Sequence, residues 1–66
     1  MQVIINGEPR TLRDGFTIAR LLAELGLNAR RIAVEINREI VARERYDTQA
    51  LTEGDLIEIV HFVGGG

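Results

Sequence analysis

The chain has 66 residues and a net charge of −2, which is enough for one domain with a single small core. It contains no cysteine, and this excludes disulfide bonds, thiolate catalysis and cysteine-bound metal. Eight arginines are interleaved with ten acidic residues, a pattern that predicts a mixed solvated surface and not the basic stripe typical of nucleic-acid binding.

The sequence carries no signal for membrane insertion or for secretion. No apolar run approaches the roughly 20 residues that span a bilayer, and no basic-then-apolar leader opens the chain. We therefore expect a cytoplasmic protein that binds neither membrane nor nucleic acid.

The first predicted element is a β-hairpin. Met1–Ile5 is an apolar run of β-forming residues, and Asn6-Gly7 follows, a pair that tolerates positive φ in a tight turn. Pro9–Leu12 is the predicted return strand, with proline at its start, where a missing N–H does least harm.

The register of this hairpin stays open. A two-residue loop pairs Ile5 with Glu8 and brings Leu12 to the face of Val3, whereas a three-residue loop pairs Ile5 with Pro9.

The next predicted element is an amphipathic helix. Thr17 is a good N-cap, and Phe16 before it can pack against Leu21 as a hydrophobic staple. Gly26 is predicted to end the helix in the left-handed conformation. Four apolar residues between these ends recur at the i, i+3, i+4, i+7 spacing and share one face: Ile18, Leu21, Leu22 and Leu25.

Three further strands are predicted after the helix. Ile32–Asn37 alternates between apolar and other residues and is typical of a half-buried strand, and a short strand follows at Ile40-Val41. Arg43–Leu51 is polar and irregular, with one helical turn, and its Tyr46 is expected to pack against the surface. Leu56–Val63 is the last strand.

One amphipathic helix needs one sheet face to cover it, so the fold class is α+β. The first and last strands are the most apolar, and we expect them side by side and parallel in the sheet centre. The predicted core contains the helix face, the inward strand residues and one loop leucine: Val3, Ile5, Ile18, Leu21, Leu22, Leu25, Ile32, Val34, Ile36, Leu51, Ile57 and Ile59.

Strand alternation also predicts an apolar surface. Ile4, Val60 and Phe62 alternate with core residues and must point away from the helix. If the first and last strands are adjacent, these three side chains form one patch beside the C-terminal glycines. A contiguous exposed apolar patch suggests a docking site for partner proteins.

Nothing inside the chain predicts a catalytic or metal site. His61 is the only histidine, and general base catalysis needs a positioned partner. The feature that stands out is Gly64-Gly65-Gly66, which we separate as a flexible tail from a domain over residues 1–63. Glycine lacks a Cβ, so such a tail can enter a narrow channel and present its ionised carboxylate as a nucleophile.

The Asn6-Gly7 hairpin, the segments TIARLLAELG, IAVEIN and EGDLIEIVHFV, and the final GGG together resemble the ThiS family over essentially the whole chain. The resemblance implies a ubiquitin-like β-grasp fold, a mixed sheet of about five strands packed on one main helix. Of the functional residues, Gly65 and Gly66 carry over.

The resemblance also implies a function as a sulfur carrier. A ThiF-type adenylyltransferase would use ATP to adenylate the Gly66 carboxylate, which becomes a thiocarboxylate and donates sulfur to a ThiG-type thiazole synthase in thiamine biosynthesis. The chain itself would bind no cofactor and would not be an enzyme.

Three alternatives remain open at this stage. A MoaD-like carrier uses the same terminal chemistry for molybdopterin synthesis, and such chains are usually longer. A ubiquitin-like modifier is a second alternative, although the chain has no lysine on which to build polymers. A TGS-like interaction module would share the core pattern and a strand like Gly54–Ile59, but such modules sit inside longer chains.

Overall fold

The fold is that of a computed structural model, which describes residues 1–62, and it confirms the predicted β-grasp: a five-stranded mixed sheet packed on one α-helix. Two single 3₁₀ turns complete the regular structure. The elements in chain order are β1 (Gln2–Ile5), β2 (Glu8–Thr11), α1 (Ile18–Leu25), a 3₁₀ turn (Ala29–Arg31), β3 (Ile32–Ile36), β4 (Glu39–Ile40), a second 3₁₀ turn (Arg43–Arg45) and β5 (Leu56–His61).

The strand order in the sheet is β2-β1-β5-β3-β4. β1 and β5 are parallel neighbours, and every other neighbouring pair is antiparallel. The prediction that the first and last strands lie together in the sheet centre is confirmed. The physical reason is their apolar content, because central strands lose the most water on folding.

The hairpin adopts the two-residue loop. Ile5 pairs with Glu8, and Asn6 and Gly7 both have positive φ values, of 49° and 84°. Leu12 is half-buried against the core, on the side that this register requires. The turn chemistry of Asn-Gly therefore selects the shorter of the two loops.

Both predicted ends of α1 are confirmed. The Thr17 hydroxyl accepts a hydrogen bond from the Arg20 N–H at 3.2 Å, and Gly26 ends the helix with a φ of 71°. A left-handed residue at this position strongly favours glycine because any Cβ is strained there. Within residues 1–62, every helix is too short or too polar to cross a lipid bilayer.

Tyr46 corrects one sequence expectation. It is buried, with 5% exposure, and does not pack on the surface. The segment around it folds over the start of α1, where the Ile18 N–H donates to the Gln49 carbonyl and the Ala19 N–H donates to the Tyr46 carbonyl. These bonds satisfy helix donors that have no partner within the helix, so the polar segment is held against the core.

The predicted core is otherwise confirmed, except that Leu25 is only half-buried. β4 covers Glu39–Ile40 and not the predicted Ile40-Val41, and this register places Val41 opposite the buried Val34, so Val41 joins the core. The cause is the turn before it: Asn37 and Arg38 both have positive φ, so the loop has two residues and the return strand begins one residue earlier than predicted.

Candidate functional site

The predicted sulfur-carrying end lies outside the described residues. Gly64, Gly65 and Gly66 all fall there, as does Val63, so the domain boundary and the tail stay predictions. The structure does describe the strand that leads to them. After β5 the Phe62 N–H still donates to the Arg31 carbonyl at 3.0 Å, so the chain is held beside β3 up to that residue.

The start of β5 is anchored by a small polar network around Asp55, which is buried with 7% exposure. Its carboxylate accepts hydrogen bonds from the Thr52 N–H, the Thr52 hydroxyl and the Asn37 side-chain amide, at 2.8, 3.0 and 3.0 Å. Asn37 in turn accepts from the Leu56 N–H at 3.0 Å. Because both oxygens of the buried Asp55 carboxylate have hydrogen-bond partners, the network holds the start of β5 in place. The sequence indicated only a turn at this point.

The exposed face of the sheet carries the predicted docking residues. Ile4, Val60 and Phe62 are 37%, 54% and 59% exposed, which confirms that they point away from the helix. Two further large apolar side chains, Leu56 and Ile40, are exposed on the same face. We call this surface, formed by the outward residues of β1, β5, β3 and β4, the open sheet face.

The strand register corrects the expected shape of this surface. Ile4 lies beside Leu56 at the start of β5, while Val60 is four residues further along that strand. Four residues of a strand span about 13 Å, so the three side chains do not form one continuous patch. The pair of Ile4 and Leu56 lies at one end, and Val60 and Phe62 lie at the end from which the glycine tail continues.

Two carboxylates lie between these apolar groups. Glu58 follows Leu56 and precedes Val60 on the outward side of β5, and its partner on β3 is Glu35, directly opposite. Glu58 is exposed and Glu35 is half-buried. Sequence reasoning missed this pair because Glu35 and Glu58 belong to separate strands, and only the β3–β5 register brings them together.

The described residues contain no evident catalytic constellation. His61 is exposed and lies opposite Ile32, and no hydrogen bond or ion pair of its side chain occurs within residues 1–62. Over the same residues, no three His, Asp or Glu side chains come close enough to hold a metal ion. What the described residues do offer is a sheet face with exposed apolar side chains, next to the strand that leads to the glycines.

Comparison with known proteins connects this arrangement to a family. The model of the ThiS family matches residues 3–66. The sulfur carrier protein ThiS of Bacillus subtilis is 50% identical over 54 residues, which are 82% of each chain. A crystal structure of the thiamine biosynthesis protein ThiS from Geobacter metallireducens superposes with a TM-score of 0.86 at 33% identity, covering 100% of both chains.

Longer relatives also match. The thiazole synthase of Paramagnetospirillum magneticum is 47% identical over all 66 residues, and that of Magnetococcus marinus is 44% identical. The chain spans 20% of the length of each of these synthases. In both, a segment similar to this whole chain is part of a larger polypeptide.

Proposed function

Because this chain belongs to the ThiS family, we propose that it is a sulfur carrier protein of thiamine biosynthesis. The observation that carries the proposal is that the family match extends to residue 66 and so includes the three terminal glycines. The named relatives are ThiS proteins and thiazole synthases, and this favours the thiamine pathway over a MoaD-like role in molybdopterin synthesis.

The proposed chemistry takes place at the Gly66 carboxylate. One carboxylate oxygen attacks the α-phosphorus of ATP, pyrophosphate leaves, and an acyl-adenylate forms. Hydrosulfide then attacks the acyl carbon, its proton is released, and AMP leaves with one of the original carboxylate oxygens, so a thiocarboxylate forms. Acyl transfer becomes favourable because AMP is a far better leaving group than oxide.

The chain acts in this scheme as a co-substrate in the cytoplasm, and its partners supply catalysis. A ThiF-type adenylyltransferase binds ATP and performs the activation, and a ThiG-type thiazole synthase accepts the sulfur. The two synthase relatives that contain a similar segment support the second partner. No cofactor on the carrier is needed.

We place partner docking on the open sheet face, through Ile4, Val60 and Phe62. Val60 and Phe62 form one exposed apolar group, Ile4 and Leu56 form another at the opposite end of the face, and exposed apolar groups rimmed by polar residues mark interaction sites. Val60 and Phe62 lie nearest the tail, so an enzyme seated there would have the Gly64–Gly66 arm within its reach. Three extended residues reach roughly 10 Å.

Intact mass spectrometry tests the proposal. The protein is incubated with ATP, a sulfide source and the ThiF-type adenylyltransferase of the same organism. We expect a mass gain equal to the exchange of one oxygen for sulfur, together with ATP-dependent pyrophosphate release. A carrier that never gains this mass contradicts the proposed function.

A variant lacking Gly66 identifies the reacting carboxylate. It still ends in glycine, but its carboxylate lies about 3.5 Å short of the wild-type position. A displacement of this size removes the alignment on which attack depends, so we expect no adenylation with an unchanged melting temperature. Glu44→Gln, an exposed change on the second 3₁₀ turn, is the control that should load normally.

A further inference from the structure

Two side chains of like charge face each other across neighbouring strands of the open sheet face, an arrangement that does not stabilise a sheet. Glu35 and Glu58 are directly opposite residues of the antiparallel β3–β5 ladder, so their Cβ atoms lie about 5 Å apart. Neither side chain takes part in the ion pairs found within residues 1–62, which join Met1 to Asp14 and Arg20 to Glu24.

Such a pair weakens the isolated domain. Like charges directly opposite on one sheet face repel each other, whereas an opposite-charge pair at the same positions would stabilise the sheet. Within residues 1–62, no ion pair of either carboxylate offsets this repulsion. The other cross-strand neighbour of Glu35 is Ile40, and Asn6 flanks Glu58 on the β1 side, so neither neighbour is cationic.

Apolar side chains border the two carboxylates along β5 and towards β4, and the polar side chains of Asn6 and Asn37 border them on the remaining sides. Ile40 and Ala33 flank Glu35 on β4 and β3, and Leu56 and Val60 flank Glu58 along β5. An interface built on this face would therefore have a mostly apolar surround and a doubly negative centre. Water leaves such a centre when the surround is covered, and charge pairs formed there become stronger.

Building on the proposed function, we propose that the Glu35–Glu58 pair receives an arginine side chain of the ThiF-type adenylyltransferase when that enzyme docks on the open sheet face. Charge complementarity requires a cation opposite two carboxylates. A guanidinium suits the position because its planar fork carries five donors and can bond both carboxylates at once, while its faces pack against apolar neighbours. Arginine is also enriched at the centres of protein interfaces.

The test replaces both carboxylates by neutral amides of the same shape. Glu35→Gln/Glu58→Gln is compared with the wild type in steady-state adenylation by the ThiF-type enzyme. We expect the KM for the carrier to rise about tenfold and kcat to stay within about twofold, because the pair acts in docking and not at the reacting carboxylate. The KM of the variant should also depend less on salt.

The matched control is Glu44→Gln/Asp47→Asn, which removes the same charge from exposed positions near the second 3₁₀ turn. It should leave KM near the wild-type value. The melting temperature of Glu35→Gln/Glu58→Gln should be unchanged or higher, because a repulsion is removed. An unchanged KM, or an equal rise in KM for the control, overturns the inference.

Arginine footprinting identifies the partner group. Phenylglyoxal modifies exposed arginines of the enzyme, and the wild-type carrier should protect one that Glu35→Gln/Glu58→Gln leaves reactive. Absence of protection overturns the assignment of a guanidinium. A wild-type carrier that the enzyme never adenylates refutes the proposed function and this inference together, whereas normal adenylation with unchanged KM refutes only the inference.

Discussion

The side-chain amide of Asn6 forms two hydrogen bonds with the main chain of Ile59. Its Oδ1 accepts from the Ile59 N–H at 2.8 Å, and its Nδ2 donates to the Ile59 carbonyl at 3.3 Å. β1 ends at Ile5, so this side chain extends the pairing of β1 with β5 by one residue, into the turn. One asparagine therefore both turns the hairpin, with a φ of 49°, and holds the strand that leads to the tail.

Two substitutions separate these roles of Asn6. Asn6→Gly keeps the positive φ and loses both hydrogen bonds, so we expect the free energy of unfolding to fall by about 1–2 kcal/mol. Asn6→Ala also adds strain in the left-handed region and should lose about 1 kcal/mol more. Chemical denaturation measures both. Equal stability of Asn6→Ala and wild type would show that the two hydrogen bonds to Ile59 do not stabilise the fold.

The Asp55 network makes a second stability prediction. Asp55→Ala leaves the Thr52 N–H and the Asn37 amide without their acceptor, so we expect a loss of about 2–3 kcal/mol. For a domain of this size, such a loss lowers the melting temperature by roughly 8–24 °C. The control is Asp47→Ala, an exposed acid whose removal should change stability by less than about 0.5 kcal/mol.

Much of the fold follows from local sequence signals. Thr17 and Gly26 set the ends of α1, and the Asn-Gly pair sets the first hairpin, because each acts through its own backbone and near neighbours. Tyr46 was misplaced for the opposite reason. It is buried because the polar segment that contains it folds back onto α1, where carbonyls of this segment accept hydrogen bonds from the first N–H groups of the helix. The two partners are almost 30 residues apart, and the periodicity of the sequence gives no information about such a contact.

The same difference between local signals and long-range contacts applies to the open sheet face. Alternation along β5 was enough to predict that Val60 and Phe62 point outward, since the period of a strand is local. The separation of Ile4 from Val60 and the meeting of Glu35 with Glu58 depend on how strands distant in sequence align. Register between strands of a crossover is fixed by the whole core, so the sequence alone left it undetermined.

The glycine tail makes a kinetic prediction. Gly65→Val places a β-branched side chain on the arm, which widens and stiffens it. If the arm enters a narrow channel of the adenylyltransferase, kcat for adenylation should fall by at least about 100-fold, since small displacements of the reacting atom are costly. Thermal unfolding should match the wild type. Loading of Gly65→Val at the wild-type rate would show that no narrow channel is involved.

The last prediction separates docking from packing. Phe62 is 59% exposed and Leu22 is 3% exposed, so truncating each to alanine removes different interactions. Leu22→Ala opens a core cavity and should lower the free energy of unfolding by about 2–5 kcal/mol. Phe62→Ala should change stability by less than about 1 kcal/mol, yet weaken binding of both the adenylyltransferase and the thiazole synthase by roughly tenfold, as loss of an aromatic interface residue does.

Ile4→Glu, at the other end of the open sheet face, should also weaken both complexes, because it introduces a charge into an apolar contact. Calorimetric titration of both complexes, beside thermal unfolding of the same variants, measures all of these effects. Wild-type affinity with a strongly lowered melting temperature for Phe62→Ala would mean that this side chain stabilises the fold and does not contact partners.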